Sequence, residues 1–446
     1  MTLTAKEPGT SPPLDDAGTP PTGPPPAWGP PFVSPRQQLL RLLVGLVLIT
    51  GIFLVAGLGY LLLFILIVVL IVMLHELAHF VTAKLSGMKV TEFFVGFGPR
   101  LWSVRRGETE YGIKAIPAGG YVKITGFTML DEVSEEDEPR TYRQQPFWKR
   151  IIVASAGSAM HFLIALVLAL IVAFGWGAPG NNQEVVAVDH WVGVAQTPAE
   201  AAGIKVGDVI VSYNGHGFSG PNTLTNELKK AAAGVPVTLG IDRDGQVINV
   251  RVTPRNGKGL HVVGEPGKAG RLANRSYIGI APEPANQSLG FLSAINNGFD
   301  QVGQATRLEV QGIGRLFSAS GLTSYYHQVT NSKVAAKAAT NPTNVRPVSL
   351  VGIANLGVQS ERAGPFWLFQ LLIEINVIFG MLNMLPMIPF DGGHVAIAAY
   401  EWIRTKKGKP FYRADITKLF PVVAVLVGLL VVLTASALYL DIAHPI

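Results

Sequence analysis

The sequence predicts a polytopic α-helical membrane protein, with four or five spanning helices and a β-domain inserted between them. Of the 446 residues, 48% are hydrophobic and 15% are charged, whereas soluble domains carry about 25% charged residues. The mean hydropathy is +0.34. Long apolar runs also alternate with polar segments, as expected of a chain that crosses a bilayer several times.

The charge and the cysteine content exclude several functions. The net charge is +6, but the basic residues cluster beside apolar runs, which indicates membrane orientation rather than nucleic-acid binding. The chain has no cysteine, so disulfides, cysteine nucleophiles and cysteine-ligated zinc are excluded. Residues 1–37 are rich in proline and are predicted to be a disordered tail.

The predicted spans follow from the apolar runs. No residue from Leu42 to Leu74 is charged, although one spanning helix needs only about 20 residues. The glycines of "AGLGY" (56–60) suggest that this run folds back as two helices, near 38–56 and 59–85; a single long tilted helix is the alternative. Further spans are expected at 151–175, 366–385 and 419–440.

Lysine and arginine residues predict the orientation. They are concentrated in the 84–150 and 403–418 loops, which should therefore face the cytoplasm, together with the N-terminal tail. The 182–362 segment then lies outside. Within it, residues 183–265 contain strand, turn and hairpin signals. "TPAEAAGIKVGDVIVSYNG" resembles the PDZ domains of bacterial envelope proteases, which bind extended peptides.

The stretch "IVMLHELAHFVTA" (71–83) carries the clearest chemical signal. His75 and His79 are four residues apart, so a helix places both on one face, where they suit two ligands of one Zn²⁺. Glu76 lies beside them and can accept a proton from water. Ionisable groups inside a membrane span are costly and therefore indicate function. Two core histidines satisfied by their neighbours are the structural alternative.

A zinc hydrolase needs a third protein ligand, and "EINVIFGMLNMLPMIPFDGGH" (374–394) offers Glu374, Asp391 and His394. His75 lies about 24 Å along a helix from Gly59, toward the cytoplasmic side. Glu374 lies only about 12 Å from the outer end of its span and is too shallow. Asp391 follows the break made by two prolines at the inner end of the span. We therefore predict Asp391 as the third ligand.

Four motifs together resemble the site-2 protease family of intramembrane zinc metalloproteases: HELAH, "NMLPMIPFDGG", "GFGP" (96–99) and "PAGGYVKITG" (117–126). The resemblance covers residues 58 to about 440. It implies one zinc ion on His75, His79 and Asp391, with Glu76 as general base.

The same resemblance implies which groups bind substrate. Asn383 would help to hold the substrate backbone. The "PAGGYV" stretch, with Gly119, Gly120 and Tyr121, would form a membrane-associated β element that pairs with an unwound substrate. The implied substrates are single-span membrane proteins such as anti-sigma factors, and also remnant signal peptides.

Two features depart from the family pattern. The N-terminal tail and the first helix lie outside the family core. Where many relatives have Gly-x-x-x-Asn on the second core span, this chain has Gly157 and His161. His161 is interpreted either as a polar packing residue or as a partner of a metal ligand.

The expected protein is thus a multi-pass zinc endopeptidase of a bacterial inner membrane that acts in regulated intramembrane proteolysis. Five regions are expected: the tail (1–37), an N-terminal membrane part (38–182), a PDZ domain (183–265), a linker with amphipathic segments (266–365) and a C-terminal membrane part (366–446). The alternatives are a zinc-binding scaffold or transporter without hydrolysis, and a peptidase whose active site faces outside.

Overall fold

The computed structural model supports a helical membrane bundle with two separate β-structures. It describes the following residues: 35–127, 131, 133–187, 197–205, 208–218, 223–243, 245–256, 276–287, 289–339, 346–405, 412–415, 418 and 420–445. Most of the predicted N-terminal tail therefore lies outside the described residues.

Four of the described helices are long and apolar enough to cross a membrane. They are α2 (Gly59–Leu85), α3 (Phe147–Gly175), α10 (Pro365–Asn383) and α12 (Phe420–Ala443). Each coincides with a span predicted from the sequence, so four of the five predicted spans are helices of sufficient length and hydropathy to cross a membrane.

The first apolar run is divided as predicted. Helix α1 (Pro35–Val55) ends before a turn at residues 56–58, and α2 begins at Gly59. Gly57 has a φ of 70° in this turn, a backbone conformation that glycine adopts at little cost. The long apolar part of α1, Leu42–Val55, is shorter than the other four helices, and α1 is not among the candidate spans.

Helix α3 is the centre of the bundle and packs against α2, α10 and two helices described below. Its buried face is rich in small residues; Ala154, Ala165 and Ala169 are each fully buried. Small side chains let helix backbones approach closely, which is the main way that helices associate in a membrane.

Strands β1 (Val90–Arg106) and β2 (Thr109–Ile124) follow α2 and fold into a small antiparallel sheet. The register shows that each strand bends back, because residues 92–95 pair with both 110–113 and 120–123. Residues 120–124 of β2 therefore form one edge. This edge lies against α2 at Gly120, where an added Cβ would be 2.5 Å from Met73 Sδ.

The second β-structure is inserted after α3. Its strands are β3 (Ala178–Ala187), β4 (Val209–Tyr213), β5 (His216–Gly217), β6 (Val237–Arg243), β7 (Gln246–Val252), β8 (Arg255–Asn256), β9 (Ser276–Tyr277) and β10 (Ala281–Gln287). The order β10-β3-β4-β6-β7 forms the main sheet, β5 pairs with β4, and β8 pairs with β9. Short helices α4 (Pro198–Ala201) and α5 (Leu224–Lys230) cover it. The 183–265 range predicted for a compact domain is too short, because β10 pairs with β3 beyond both of its ends.

The 266–365 region is mostly helical where it is described: α6 (Phe291–Leu316), α7 (Ala319–Thr330), α8 (Ser332–Ala339) and α9 (Leu350–Ala363). Helix α6 is strongly amphipathic, as its sequence suggests. It does not stand apart from the bundle, because Gly298 lies against Leu170 of α3, and Ala305 packs with Ala165 and Ala169.

A short non-helical segment, residues 384–390, joins α10 to α11 (Asp391–Arg404). The prolines of this segment lack the N–H that a continuous helix needs. Gly392 and Gly393 follow this segment and lie inside the first turn of α11. A Cβ at Gly392 would be 2.3 Å from the carbonyl oxygen of Met384, so the glycines let the segment fold tightly over the helix.

A buried ion pair connects helix α11 to α3. Arg150 Nη1 lies 2.6 Å from Glu401 Oε2, and the two side chains are 3% and 0% exposed. The other carboxylate oxygen of Glu401 accepts a hydrogen bond from the backbone N–H of Ala414 at 2.7 Å. This pair fixes the helix that begins at Asp391.

We expect Glu401→Gln to destabilise the protein by about 3–5 kcal/mol, because it leaves Arg150 buried without its counter-charge. The midpoint of unfolding of the purified protein in detergent measures this loss. Lys230→Gln is the control, since Lys230 pairs with Glu227 on an exposed helix surface. This substitution should change the free energy of unfolding by less than about 0.5 kcal/mol. Equal midpoints for Glu401→Gln and wild type would contradict the role given to the buried pair.

Candidate metal centre

Helix α2 brings His75 and His79 together in its C-terminal half, as predicted from the sequence. The two residues are 7% and 4% exposed, and their Nε2 atoms lie 3.2 Å apart. One helical turn separates the residues, so both side chains project from the same face.

Asp391, the first residue of α11, completes a group of three candidate ligands. Its Oδ2 atom lies 3.2 Å from Nε2 of His79 and 3.5 Å from Nε2 of His75. In a tetrahedral zinc site with bonds of about 2.0–2.2 Å, neighbouring ligand atoms are about 3.3–3.5 Å apart. The three distances therefore fit a zinc ion placed between these atoms.

The hydrogen bond of His79 supports this interpretation. Its Nδ1 atom lies 2.7 Å from the carbonyl oxygen of Val153, which can only accept, so Nδ1 carries the proton. In the neutral ring, Nε2 then presents a lone pair toward the carboxylate of Asp391. Two electron-rich atoms at 3.2 Å repel each other, and a cation held between them would convert this repulsion into attraction.

Gly157 of α3 leaves the space in front of the imidazoles open. A Cβ at this position would lie 2.4 Å from Nε2 of His79 and 2.5 Å from Nε2 of His75. Any larger residue would therefore displace the ligand nitrogens. The structure therefore gives a steric reason for glycine at position 157 of the sequence motif.

Glu76 is positioned by the edge of β2. Its Oε2 atom accepts a hydrogen bond from the backbone N–H of Val122 at 3.0 Å, and Gly120 lies against its side chain. The bond fixes one carboxylate oxygen, and Oε1 has no hydrogen bond among the described residues. Sequence reasoning identified Glu76 but missed Val122, because a backbone donor leaves no signal in the residue type.

The predicted substrate-binding residues lie in two places. Gly119 and Gly120 are buried where β2 meets α2, and Gly119 has a φ of 143°, which favours glycine. Asn383 is the last residue of α10 and is partly buried. The structure describes no hydrogen bond of the Asn383 side chain.

Tyr121 is engaged within the sheet of β1 and β2. Its ring stacks on those of Phe94 and Phe97, with centroid distances of 5.9 and 6.1 Å. Its hydroxyl contacts Glu92 and Lys114. The Tyr121 side chain is therefore occupied within the sheet.

The two other candidates for the third ligand do not join the group. His394 stacks on Phe127 with a centroid distance of 4.1 Å. Among the described residues, only His75, His79 and Asp391 place ligand atoms within 4.8 Å of one another, so Glu374 and His394 are not part of this arrangement.

His161 lies beside the centre, and its partner was not anticipated. Its ring centroid is 4.9 Å from that of His75, and its Nδ1 atom lies 3.0 Å from Oδ1 of Asn376. Asn376 is fully buried in α10. A polar residue within an apolar span is costly unless it has a partner, and this signal could have drawn attention to Asn376 as it did to Glu374 in the same helix.

Comparison with known proteins agrees with this geometry. The model of peptidase family M50 matches residues 63–428. The protein named zinc metalloprotease Rip1 of Mycobacterium tuberculosis is 34% identical over 422 residues, which cover 86% of this chain and 97% of Rip1.

Two more distant relatives carry similar names. Metalloprotease MmpA of Caulobacter vibrioides is 27% identical over 363 residues, covering 77% of this chain and 87% of MmpA. A putative zinc metalloprotease of Clostridium acetobutylicum is 26% identical over 380 residues, covering 84% of this chain and 95% of that protein. The family match and these relatives show that the chain belongs to peptidase family M50 and is a multi-pass zinc metalloprotease of the site-2 protease type.

Proposed function

We propose that this protein cuts single-span membrane proteins within or near the bilayer, with zinc held by His75, His79 and Asp391 and with Glu76 as general base. One observation carries the proposal. Three ligand atoms from two separate helices converge at the spacing of a zinc site, directly beside a carboxylate.

The roles of the side chains follow from their contacts. When bound, a zinc ion polarises the scissile carbonyl and makes water a better nucleophile at neutral pH. Val122 fixes Oε2 of Glu76, which leaves Oε1 to accept a proton from the attacking water. The carboxylic acid then gives this proton to the nitrogen of the leaving amine.

The substrate segment must be extended before it is cut, because each carbonyl of an intact helix is occupied by its own hydrogen bond. Residues 120–124 of β2 pair with β1 on one side only. Their other edge faces α2 beside Glu76. We propose that the extended segment adds to this edge as a further strand, with Asn383 holding it from α10.

The first test distinguishes the role of the general base from the roles of the metal ligands. Glu76→Gln should keep zinc but lose cleavage of a reconstituted single-span substrate by about 10²-fold or more, the loss typical of a general base. His79→Ala and Asp391→Ala should lose zinc and cleavage together. Gly157→Ala should also lose zinc, because its Cβ takes the space of the ligand nitrogens. Metal content of the purified variants and the cleavage rate are measured in parallel.

Glu374→Gln is the matched control, since this carboxylate lies on α10 outside the ligand group; it should retain both zinc and cleavage. Stoichiometric zinc in Asp391→Ala would refute the ligand set. Full activity in Glu76→Gln would refute the assigned base.

We propose further that the tail is cytoplasmic and that the inserted β-domain lies outside the membrane on the opposite face. The basic residues flanking the spans favour this arrangement. It requires α1 to cross the bilayer, although only Leu42–Val55 is continuously apolar and described. The orientation of the tail therefore depends on α1 alone.

Reporter fusions at Gly9 and Gly257 test the orientation. We expect opposite compartments, because α1, α2 and α3 together would make three crossings between the two positions. An extra fusion at Gly107, between β1 and β2, should report the cytoplasm. The same compartment for Gly9 and Gly257 would show that α1 does not cross.

The inserted β-domain is proposed to be a PDZ domain that limits access to the centre. The proposal is supported by the sequence resemblance and by a compact core that includes the fully buried Ile210, Leu239 and Ile241. Anti-sigma factors and remnant signal peptides are the substrates that the family resemblance suggests. Each would reach the centre only after its outer part had been removed.

Replacing Ala178–Gln287 by a short flexible linker tests this gate. The two end residues pair with each other, so a few glycine and serine residues can join them. We expect Glu76-dependent cleavage of untrimmed substrate to appear, because the excluding bulk is gone. A variant that cuts trimmed substrate poorly and still ignores untrimmed substrate would instead indicate that the domain recognises substrate.

A further inference from the structure

In the metal centre, the outer nitrogen of one ligand has no hydrogen-bond acceptor among the described residues. His79 donates Nδ1–H to the carbonyl oxygen of Val153. Nδ1 of His75 is buried and makes no hydrogen bond among the described residues. When Nε2 of a histidine binds zinc, Nδ1 is protonated and normally donates to an acceptor that fixes the ring. His75 therefore presents a donor that lacks its acceptor.

The hydrogen bonds of Asn376 determine the tautomer of His161. The amide nitrogen of Asn376 must be the atom that lies 2.8 Å from the carbonyl oxygen of Leu372, because that oxygen can only accept. The amide oxygen of Asn376 then faces Nδ1 of His161 at 3.0 Å, so Nδ1 is the donor. A neutral His161 consequently carries an acceptor at Nε2.

The Nδ1 donor of His75 and the Nε2 acceptor of His161 lie on neighbouring rings. The centroids of His75 and His161 are 4.9 Å apart with an interplanar angle of 44°. His161 is 2% exposed, and Phe379 closes its other side with a centroid distance of 5.7 Å. The two imidazoles therefore lie side by side in the interior of the bundle.

We propose that His161 is a positioning residue of the metal centre, whose Nε2 accepts the Nδ1–H of His75 through one water molecule. The chain Leu372–Asn376–His161–His75 would then anchor the ligand ring to α10, as Val153 anchors His79 to α3. This inference rests on the proposed zinc site. It assigns a role to the histidine that stands where many relatives have asparagine.

Zinc affinity of the full-length protein in detergent tests the inference, measured by competition with a chromophoric chelator. We expect His161→Leu to weaken zinc binding about 10–100-fold, the loss typical of an outer partner of a ligand. His161→Gln should recover most of the affinity, since its amide oxygen can accept the same bond. Asn376→Leu should lower the affinity by a smaller factor, because His161 keeps its place but loses its fixed tautomer.

Two measurements separate positioning from a general packing effect. The unfolding midpoint of the zinc-free protein should change equally little in His161→Leu and His161→Gln, although their zinc affinities differ. Gln328→Leu, which removes another buried polar side chain far along the chain in α7, should leave zinc affinity unchanged.

The outcomes also distinguish this inference from the proposed function. If His79→Ala loses zinc but His161→Leu binds it within about twofold of wild type, the site stands and the role of His161 is overturned. The backbone of Gly157, which borders the His75 ring, would then be the neighbour that holds it. If His79→Ala binds zinc as wild type does, the proposed site itself is wrong.

Discussion

The close approach of α3 to α2 at Gly157 is the constraint on which the rest of the structure depends. Where the two helices meet, the backbone of α3 lies so near His75 and His79 that no side chain fits between them. The same stretch of α3 supplies the carbonyl of Val153 to His79 and, one turn further, His161. Small residues along α3 permit this distance, and close packing in turn fixes the imidazoles without long polar side chains.

Around this contact, parts of the non-helical backbone make specific contacts within the protein. The sheet of β1 and β2 and the 384–390 segment both interrupt helical structure beside the metal centre. Backbone groups at membrane depth must find partners within the protein. Val122 finds Glu76, and the 384–390 segment folds onto Gly392 and Gly393. The requirement to satisfy backbone groups thus also positions the proposed base and third ligand.

Buried charged groups also have partners within the protein. Arg150 and Glu401 are paired between α3 and α11, and Arg346 and Asp441 are paired near the end of α12. Asp441 also accepts the backbone N–H of Ser349 at 2.7 Å, which joins the last helix to the start of α9. An unpaired charge in such surroundings would be strongly destabilising. These pairs therefore hold helices that are distant in sequence in a single arrangement.

The sequence by itself determined the four spanning helices, the break near Gly57, the pairing of His75 with His79, and Glu76 as a candidate base. These features depend on local periodicity and hydropathy, which short stretches of sequence express directly. Asp391 was predicted as the third ligand by comparing how deep the candidate ligands lie along two helices. This argument is coarser than a local motif, and the ligand distances agree with it.

Only the tertiary structure decided the features that depend on contacts between distant segments. These include the steric need for glycine at position 157, the hydrogen bond from Val122 to Glu76, and the hydrogen bond between His161 and Asn376. They also include the pairing of β10 with β3, which extends the inserted domain beyond residue 265. Backbone donors and inter-helix distances leave no mark in residue type or spacing. They arise when segments distant in the chain pack together, and no short pattern within the chain records them.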